Sequence, residues 1–208
     1  MGDSPLSQYF SVHPTHPQQR LLHQAAQIVA RGGLVVYPTD TTYAMGCHIG
    51  DKAALDRIRQ IRRLDRHHNL TLLCRDLSEL GTFARVDNAA YRILKRLTPG
   101  PFTILLPATR EVPRRLVHPK RKTVGLRVPD SPVALGLLAA LGEPMMTTTM
   151  QLPGDELPMV DPEEIRDRLE RNVDLIIDSG PGGVEPTTVV DLTVPGGAVI
   201  RQGSGVFE

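Results

Sequence analysis

The chain has 208 residues, a formal net charge of +1, 4% aromatic residues and no tryptophan. That length supports one sizeable core, able to bury roughly 70% of the unfolded surface. Near-neutral charge gives no overall field favouring nucleic acid or membrane, the scarcity of aromatic rings argues against a base-stacking platform, and no stretch approaches the ~18 apolar residues of a membrane span.

Residues 1–16, rich in Ser, Pro and His, read as a flexible arm ahead of a single domain over 17–208. Gln18 to Arg31 is predicted as a helix, with Leu21, Leu22, Ala25, Ile28 and Val29 on one face and Gly32-Gly33 as its stop. Leu34 to Tyr37 is a strand that must end near Pro38, which has no N–H for a ladder. Asp51 caps a helix whose Leu55, Ile58 and Ile61 share a side, and Leu70 to Cys74 is the next strand. Asp76 and Asp87 are N-caps, the second opening a helix that stops at Thr98-Pro99-Gly100.

Phe102 to Leu106 and Thr123 to Val128 are strands joined by a basic connection, and Pro132 to Leu141 is an apolar helix with Pro at its start. Met145 to Thr149 is a short strand. Asp161-Pro162-Glu163-Glu164 opens a helix with a cap, a first-turn Pro and two carboxylates at the positive end of the dipole. Val173 to Ile177, Thr187 to Leu192 and Ala198 to Arg201 are the last strands. Strands and helices interleave without strict βαβ units, so the fold class is α/β: one twisted mixed sheet flanked by helices.

Candidate chemistry gathers at strand ends. After Val36 comes Tyr37-Pro38-Thr39-Asp40-Thr41-Thr42-Tyr43, a rim of hydroxyls with one carboxylate. In open α/β sheets ligands sit beyond carboxyl ends of strands, although such a loop also caps its own backbone. Thr147-Thr148-Thr149-Met150-Gln151 and Thr187-Thr188 add further hydroxyls, which β-propensity alone also explains. Arg127 and Arg201 lie near the ends of apolar strands, where each wants an anion, internal or bound. Arg57, Arg59, Arg62, Arg63 and Arg66 precede His67-His68; a solvated helix face accounts for most of them.

Arg110 to Lys122 holds six Lys/Arg and reads first as a surface loop, with RNA contact through Arg114, Arg115, Lys120 and Lys122 as the alternative. Neither GxxxxGK[ST] nor a GxGxxG after a strand is present, and Gly180-Pro181-Gly182-Gly183 and Gly203-Ser204-Gly205 read as turns. Cys47 and Cys74 fit neither a disulfide framework nor a CxxC site and point to a reducing, cytoplasmic compartment. No metal-ligand spacing appears, so no tightly bound protein-ligated metal is expected. An enzyme built this way works by positioning and charge stabilisation, which suits nucleotidyl transfer.

Taken together, these pieces resemble the YrdC/YciO family, the threonylcarbamoyl-AMP synthases and their relatives. The resemblance rests on Tyr37-Pro38-Thr39-Asp40-Thr41 with Gly46, Pro99-Gly100-Pro101-Phe102-Thr103, Val124-Gly125-Leu126-Arg127-Val128-Pro129, Pro186-Thr187-Thr188-Val189-Val190-Asp191 and Arg201-Gln202-Gly203. It implies a YrdC-like sheet with a concave basic face. It also implies a chemistry: L-threonine and bicarbonate give a carbamoyl-threonine that takes AMP from ATP, with magnesium accompanying the ATP, and the product serves tRNA threonylcarbamoyladenosine modification.

By the same resemblance Thr39, Arg127, Thr149 and Thr188 are threonine-binding positions, Arg127 holding the carboxylate, and Arg62, Thr147, Gln151 and Arg201 are ATP-binding positions. Arg127→Ala is expected to abolish threonine-dependent turnover and leave the fold intact. Where the synthases carry Lys-x-Arg this chain reads Arg62-Arg63-Leu64, and where they carry Ser-x-Asn it reads Thr149-Met150-Gln151. Those departures resemble the YciO branch. They leave open a paralogue that binds nucleotide or RNA without this synthesis, or an enzyme for another carboxylate or carbamoyl substrate.

Overall fold

The computed structural model describes residues 6–65, 68 and 70–208. Ten strands form one mixed sheet. They are β1 (Gln8–Ser11), β2 (Val35–Pro38), β3 (Tyr43–His48), β4 (Thr71–Leu73), β5 (Phe102–Pro107), β6 (Thr123–Arg127), β7 (Met145–Thr149), β8 (Leu175–Asp178), β9 (Thr188–Asp191) and β10 (Ala198–Arg201). Their spatial order is β1-β8-β2-β3-β7-β4-β6-β5-β9-β10. Six helices flank the sheet: α1 (Gln19–Ala30), α2 (Lys52–Arg62), α3 (Leu77–Phe83), α4 (Asn88–Leu97), α5 (Pro132–Leu141) and α6 (Pro162–Leu169).

The helix starts follow from their caps. Asp51, Asp76 and Asp87 each accept a backbone N–H three residues on, at 2.8 Å. Each pairs one of the orphan donors of a first helical turn, worth about 1 kcal/mol. Asp174 ties three elements together: its carboxylate accepts Leu34 N–H at 2.7 Å and Arg57 Nη1 at 2.8 Å.

Strand alternation sends side chains to two different cores. On one face Val36, Met45, Leu72, Ile104, Leu126, Ile176 and Val190 pack with residues of α2, α3, α4 and α6. On the other, Val35, Tyr37, Ala44, Leu73, Met145, Leu175 and Ile177 pack with Leu22, Ala25 and Val29 of α1 and Val133, Leu137 and Leu138 of α5. This second core stops at β4 and β7. The same face across β6, β5, β9 and β10 has no helix over it among the described elements, and there the cavity opens.

Two local readings need correction. Residues 8–11 of the segment read as a loose arm form β1, parallel to β8 with Gln8 opposite Leu175; Ser7 N–H and Gln8 N–H also reach the carbonyls of Glu170 and Asp174. Tyr43–His48, not expected as a strand, is β3 and forms an antiparallel hairpin with β2, Pro38 opposite Tyr43. The hydroxyl rim at 39–42 is therefore the turn of that hairpin.

Candidate active site

A cavity of about 300 Å³ lies on the uncovered half of the sheet face. Thr71 of β4, Gly125 and Arg127 of β6, Leu105 and Thr103 of β5, Val189 of β9 and Arg201 of β10 line it, with Thr147, Thr148 and Thr149 of β7 and with Thr42, Ala44, His68 and Thr187 at its sides. Strand period explains the composition. Leu72, Ile104, Leu126 and Val190 go to the opposite core, so the alternate positions Thr71, Thr103, Gly125 and Val189 face the cavity. The floor is thus hydroxyl-rich and, at Gly125, flat. A Cβ there would stand 3.5 Å from Leu105, Thr103 and Thr71, in ordinary contact but inside the cavity.

Arg127 is the most deeply held cation. Its side chain is 8% exposed and pairs through Nη2 with Asp40, whose side chain is 11% exposed. The same nitrogen donates to Thr41 Oγ1 at 3.0 Å and Thr39 Oγ1 at 3.4 Å. Arg127 Nε and Asp40 Oδ2 are buried without a hydrogen-bond partner. Among the described residues no group bonds Nη1. A buried guanidinium with one amino group engaged and the other unmatched is built to take a further anion.

The hairpin turn that holds this pair is itself braced. Thr39 Oγ1 donates to Thr42 carbonyl at 2.7 Å. The 180–183 turn crosses directly over it, and a Cβ on Gly183 would come within 2.2 Å of Thr41 carbonyl, so only glycine passes. Tyr43 OH, donating to Gly180 carbonyl at 2.7 Å, fixes the crossing.

Arg201 stands on the outer strand, three strand spacings from β6, or roughly 14 Å between backbones. Its Nη2 donates to Thr187 carbonyl at 2.8 Å and Thr187 Oγ1 at 3.3 Å. Among the described residues it has no carboxylate partner, and burial against the cavity holds its pKa below the usual arginine value. His68 is likewise held below the ordinary histidine value, first by burial and then by Arg62.

Of the positions expected at the site, Arg127, Thr147, Thr149 and Arg201 come together in the cavity lining. Thr39 sits behind Arg127 rather than in the lining. Thr188 belongs to the opposite face: it is fully buried, donates to Gly205 carbonyl at 2.6 Å and accepts Gly203 N–H at 2.9 Å. Its neighbour Thr187 takes the cavity position. Gln151 turns away, its amide donating to Asp155 carbonyl at 2.9 Å and Glu156 carbonyl at 3.3 Å.

Arg62 also lies outside the lining; burial lowers its pKa while Asp155 opposes that, and its Nε is buried without a hydrogen-bond partner. The picture of a solvated helix face fails for part of that run, because Arg57 is pinned to Asp174 and Asn172 carbonyl. Arg66 and His67 lie outside the described residues. On the basic connection Arg115 Nη2 bonds Gly50 carbonyl at 2.6 Å, clamping the loop to the β3–α2 junction, whereas Arg114, Lys120 and Lys122 are exposed.

Thr42, Thr71, Thr103 and Gly125 line the cavity without having been singled out as ligand positions from the sequence. Thr42 belonged to the hydroxyl rim, and Thr103 and Gly125 to the motifs that carry the resemblance; the signal for Thr71 was only its place as the polar member of an alternating strand pair. Among the described residues there is no group of three or more His, Cys, Asp or Glu that could hold a metal ion, and no helix is long and apolar enough to cross a membrane.

The fold, one α/β domain on a mixed sheet, is that of the Sua5/YciO/YrdC family. Its family model, described as telomere recombination, matches residues 27–203, and the chain belongs to this family. It is 57% identical to the uncharacterized protein YciO of Escherichia coli over 200 residues, covering 96% of this chain and 97% of that one. The crystal structure of E. coli YciO superposes with a TM-score of 0.92, covering 97% and 98% of the two chains. A threonylcarbamoyl-AMP synthase of Alkalilimnicola ehrlichii is 33% identical over 191 residues, or 90% of this chain and 97% of that one. The P. abyssi Sua5 structure complexed with L-threonine is 26% identical with a TM-score of 0.86, covering 94% of this chain and 57% of that one.

Proposed function

We propose that this protein is a nucleotidyltransferase of the threonylcarbamoyl-AMP synthase type, acting on L-threonine, bicarbonate and ATP. The observation that carries the reading is the pair of cations across one hydroxyl-floored cavity: Arg127, bonded through Nη2 alone among the described residues and with its Nε buried unpartnered, at one end, and Arg201 without a counter-charge among the described residues at the other. A ligand with a carboxylate at one end and phosphates at the other satisfies both. The synthase relatives and the threonine complex of P. abyssi Sua5 support the same reading.

In this reading Arg127 grips the threonine carboxylate. The carbamate formed on the threonine nitrogen attacks the α-phosphorus of ATP; its oxygen bonds phosphorus, the bond to the β-phosphate oxygen breaks, and pyrophosphate leaves. Arg201 and the threonine hydroxyls stabilise the charge gathering on the phosphates. The described lining contains no carboxylate, so magnesium has to arrive on the nucleotide. The test is pyrophosphate release from MgATP by the purified protein, with bicarbonate, with and without L-threonine. The expected result is a threonine-dependent rate; a folded sample with none would overturn the reading.

A second reading is favoured by Gln151. Its amide is spent on two loop carbonyls, and Leu64 stands where the synthases have a cation. On that reading the protein binds nucleotide, RNA or another carboxylate without this synthesis. It predicts ATP binding without threonine-dependent turnover, or salt-sensitive RNA binding lost when Arg114, Lys120 and Lys122 are neutralised.

A further inference from the structure

Thr103 of β5 and Thr187, next to β9, share a hydrogen bond of 2.8 Å between their hydroxyls. Both are buried, 9% and 6% exposed, and both line the cavity. Arg201 Nη2 rests on Thr187, through its carbonyl at 2.8 Å and its hydroxyl at 3.3 Å. The two threonines carry one hydroxyl proton each, their mutual bond uses one, and Arg201 fills an acceptor position on Thr187. One hydroxyl proton remains whichever threonine donates to the other. Together with the free guanidinium N–H groups of Arg201 it gives the cluster spare donors for an anion, beside the lone pairs left on the two hydroxyls.

We infer that Thr103 is a positioning residue: through Thr187 it fixes the Arg201 guanidinium and completes an oxyanion cradle for a phosphate group, on the side of the cavity remote from Arg127. This rests on the proposed reading of Arg201 as a phosphate ligand. Side-chain entropy gives the reason for the pair. Arg201 is on an edge strand, and a long side chain there loses freedom when it binds unless it is already held. A buried hydroxyl pair holds it without a carboxylate, which would neutralise the charge the ligand needs.

The experiment is calorimetric titration of inorganic pyrophosphate into the wild-type protein, Thr103→Val and Thr103→Ser, with L-threonine titrated into each as a second reading. Valine keeps the shape and removes the hydroxyl. The wild type is expected to bind pyrophosphate. Thr103→Val should weaken it about 10-fold, as loss of one charge-linked hydrogen bond does, and Thr103→Ser should restore it. In turnover the valine variant raises KM for ATP more than it lowers kcat.

L-threonine affinity should stay unchanged in both variants, showing that the other end of the cavity is intact. No pyrophosphate binding by the wild type, or equal affinity in the wild type and Thr103→Val, would overturn the inference. If pyrophosphate binding follows the predicted order while threonine-dependent turnover is absent, the cradle stands and the proposed reaction falls.

Discussion

The two halves of one sheet face differ in a single respect, and it decides where chemistry is possible. Under α1 and α5 the face presents Val35, Tyr37, Leu73, Met145, Leu175 and Ile177, all fully or almost fully buried. Across β4, β6, β5 and β9 the equivalent positions carry Thr71, Gly125, Arg127, Thr103 and Val189. The opposite face is apolar at Leu72, Ile104, Leu126 and Val190, with the hydroxyl of Thr188 spent on Gly203 and Gly205. One layer of helices therefore suffices to hold the second half of the sheet, and its free face can be polar at little cost in core. Hydroxyls on β-branched threonine suit this place: the residue keeps strand propensity and packs its methyl, yet leaves a donor and an acceptor outward.

That contrast yields predictions of graded size. Arg127→Ala should be the most damaging, because it leaves Asp40 buried and unpaired, a loss of about 3–5 kcal/mol in urea denaturation. The Asp40 pair ties this variant's stability to its ligand binding; Arg127→Lys, which keeps the charge but loses the planar fork, is therefore the better probe of ligand binding. Leu137→Ala in the covered half should cost about 2–5 kcal/mol, since the residue is fully buried between α1 and the sheet. Thr71→Val in the open half should cost less than about 1 kcal/mol, and near-equal losses at Leu137 and Thr71 would erase the distinction between the halves.

A smaller effect comes from Tyr37, which lies beneath the cavity with its hydroxyl 2.7 Å from Thr147 Oγ1. Burial pushes its pKa up to about 12. Its folded value is above the unfolded one, so the stability it contributes is complete below about pH 10 and is lost as pH rises towards 12. Denaturation midpoints of the wild type should therefore fall across that window, and Tyr37→Phe should flatten part of the slope.

Much of this arrangement was legible in the chain. The caps at Asp51, Asp76 and Asp87 and the span of α5 follow from local chemistry that no distant contact overrides. β3 was not legible, because Gly46 interrupts its pattern. The glycine is there for a long-range reason: a Cβ would stand 3.0 Å from the Tyr37 ring and from Met146 carbonyl. β1 depends on β8, more than 160 residues away in sequence, and its own residues carry no strong signal.

At the site, Thr187 and Thr188 are adjacent and chemically identical. The period of two guarantees that only one faces the cavity, but the flanking Val189 and Val190 do not say which. Gln151 was misplaced for a similar reason, since the chain leaves the strand at Thr149 and its direction beyond is set by the Asp155 turn. Arg127 was legible because a cation closing a buried apolar strand is costly anywhere but at a site; Arg201 lies on the exposed edge strand, where that cost is absent, and it was legible through the family resemblance.

The most direct test of the central claim, that the open half of the face is the ligand site, is titration of L-threonine into wild-type protein and Gly125→Val. The added Cβ enters the cavity at ordinary contact distance from its neighbours and valine favours a strand, so the variant is expected to fold, which circular dichroism checks. The account predicts measurable binding to the wild type and a loss of at least about 10-fold in the variant. Equal affinity in two folded proteins would place the ligand elsewhere and contradict it.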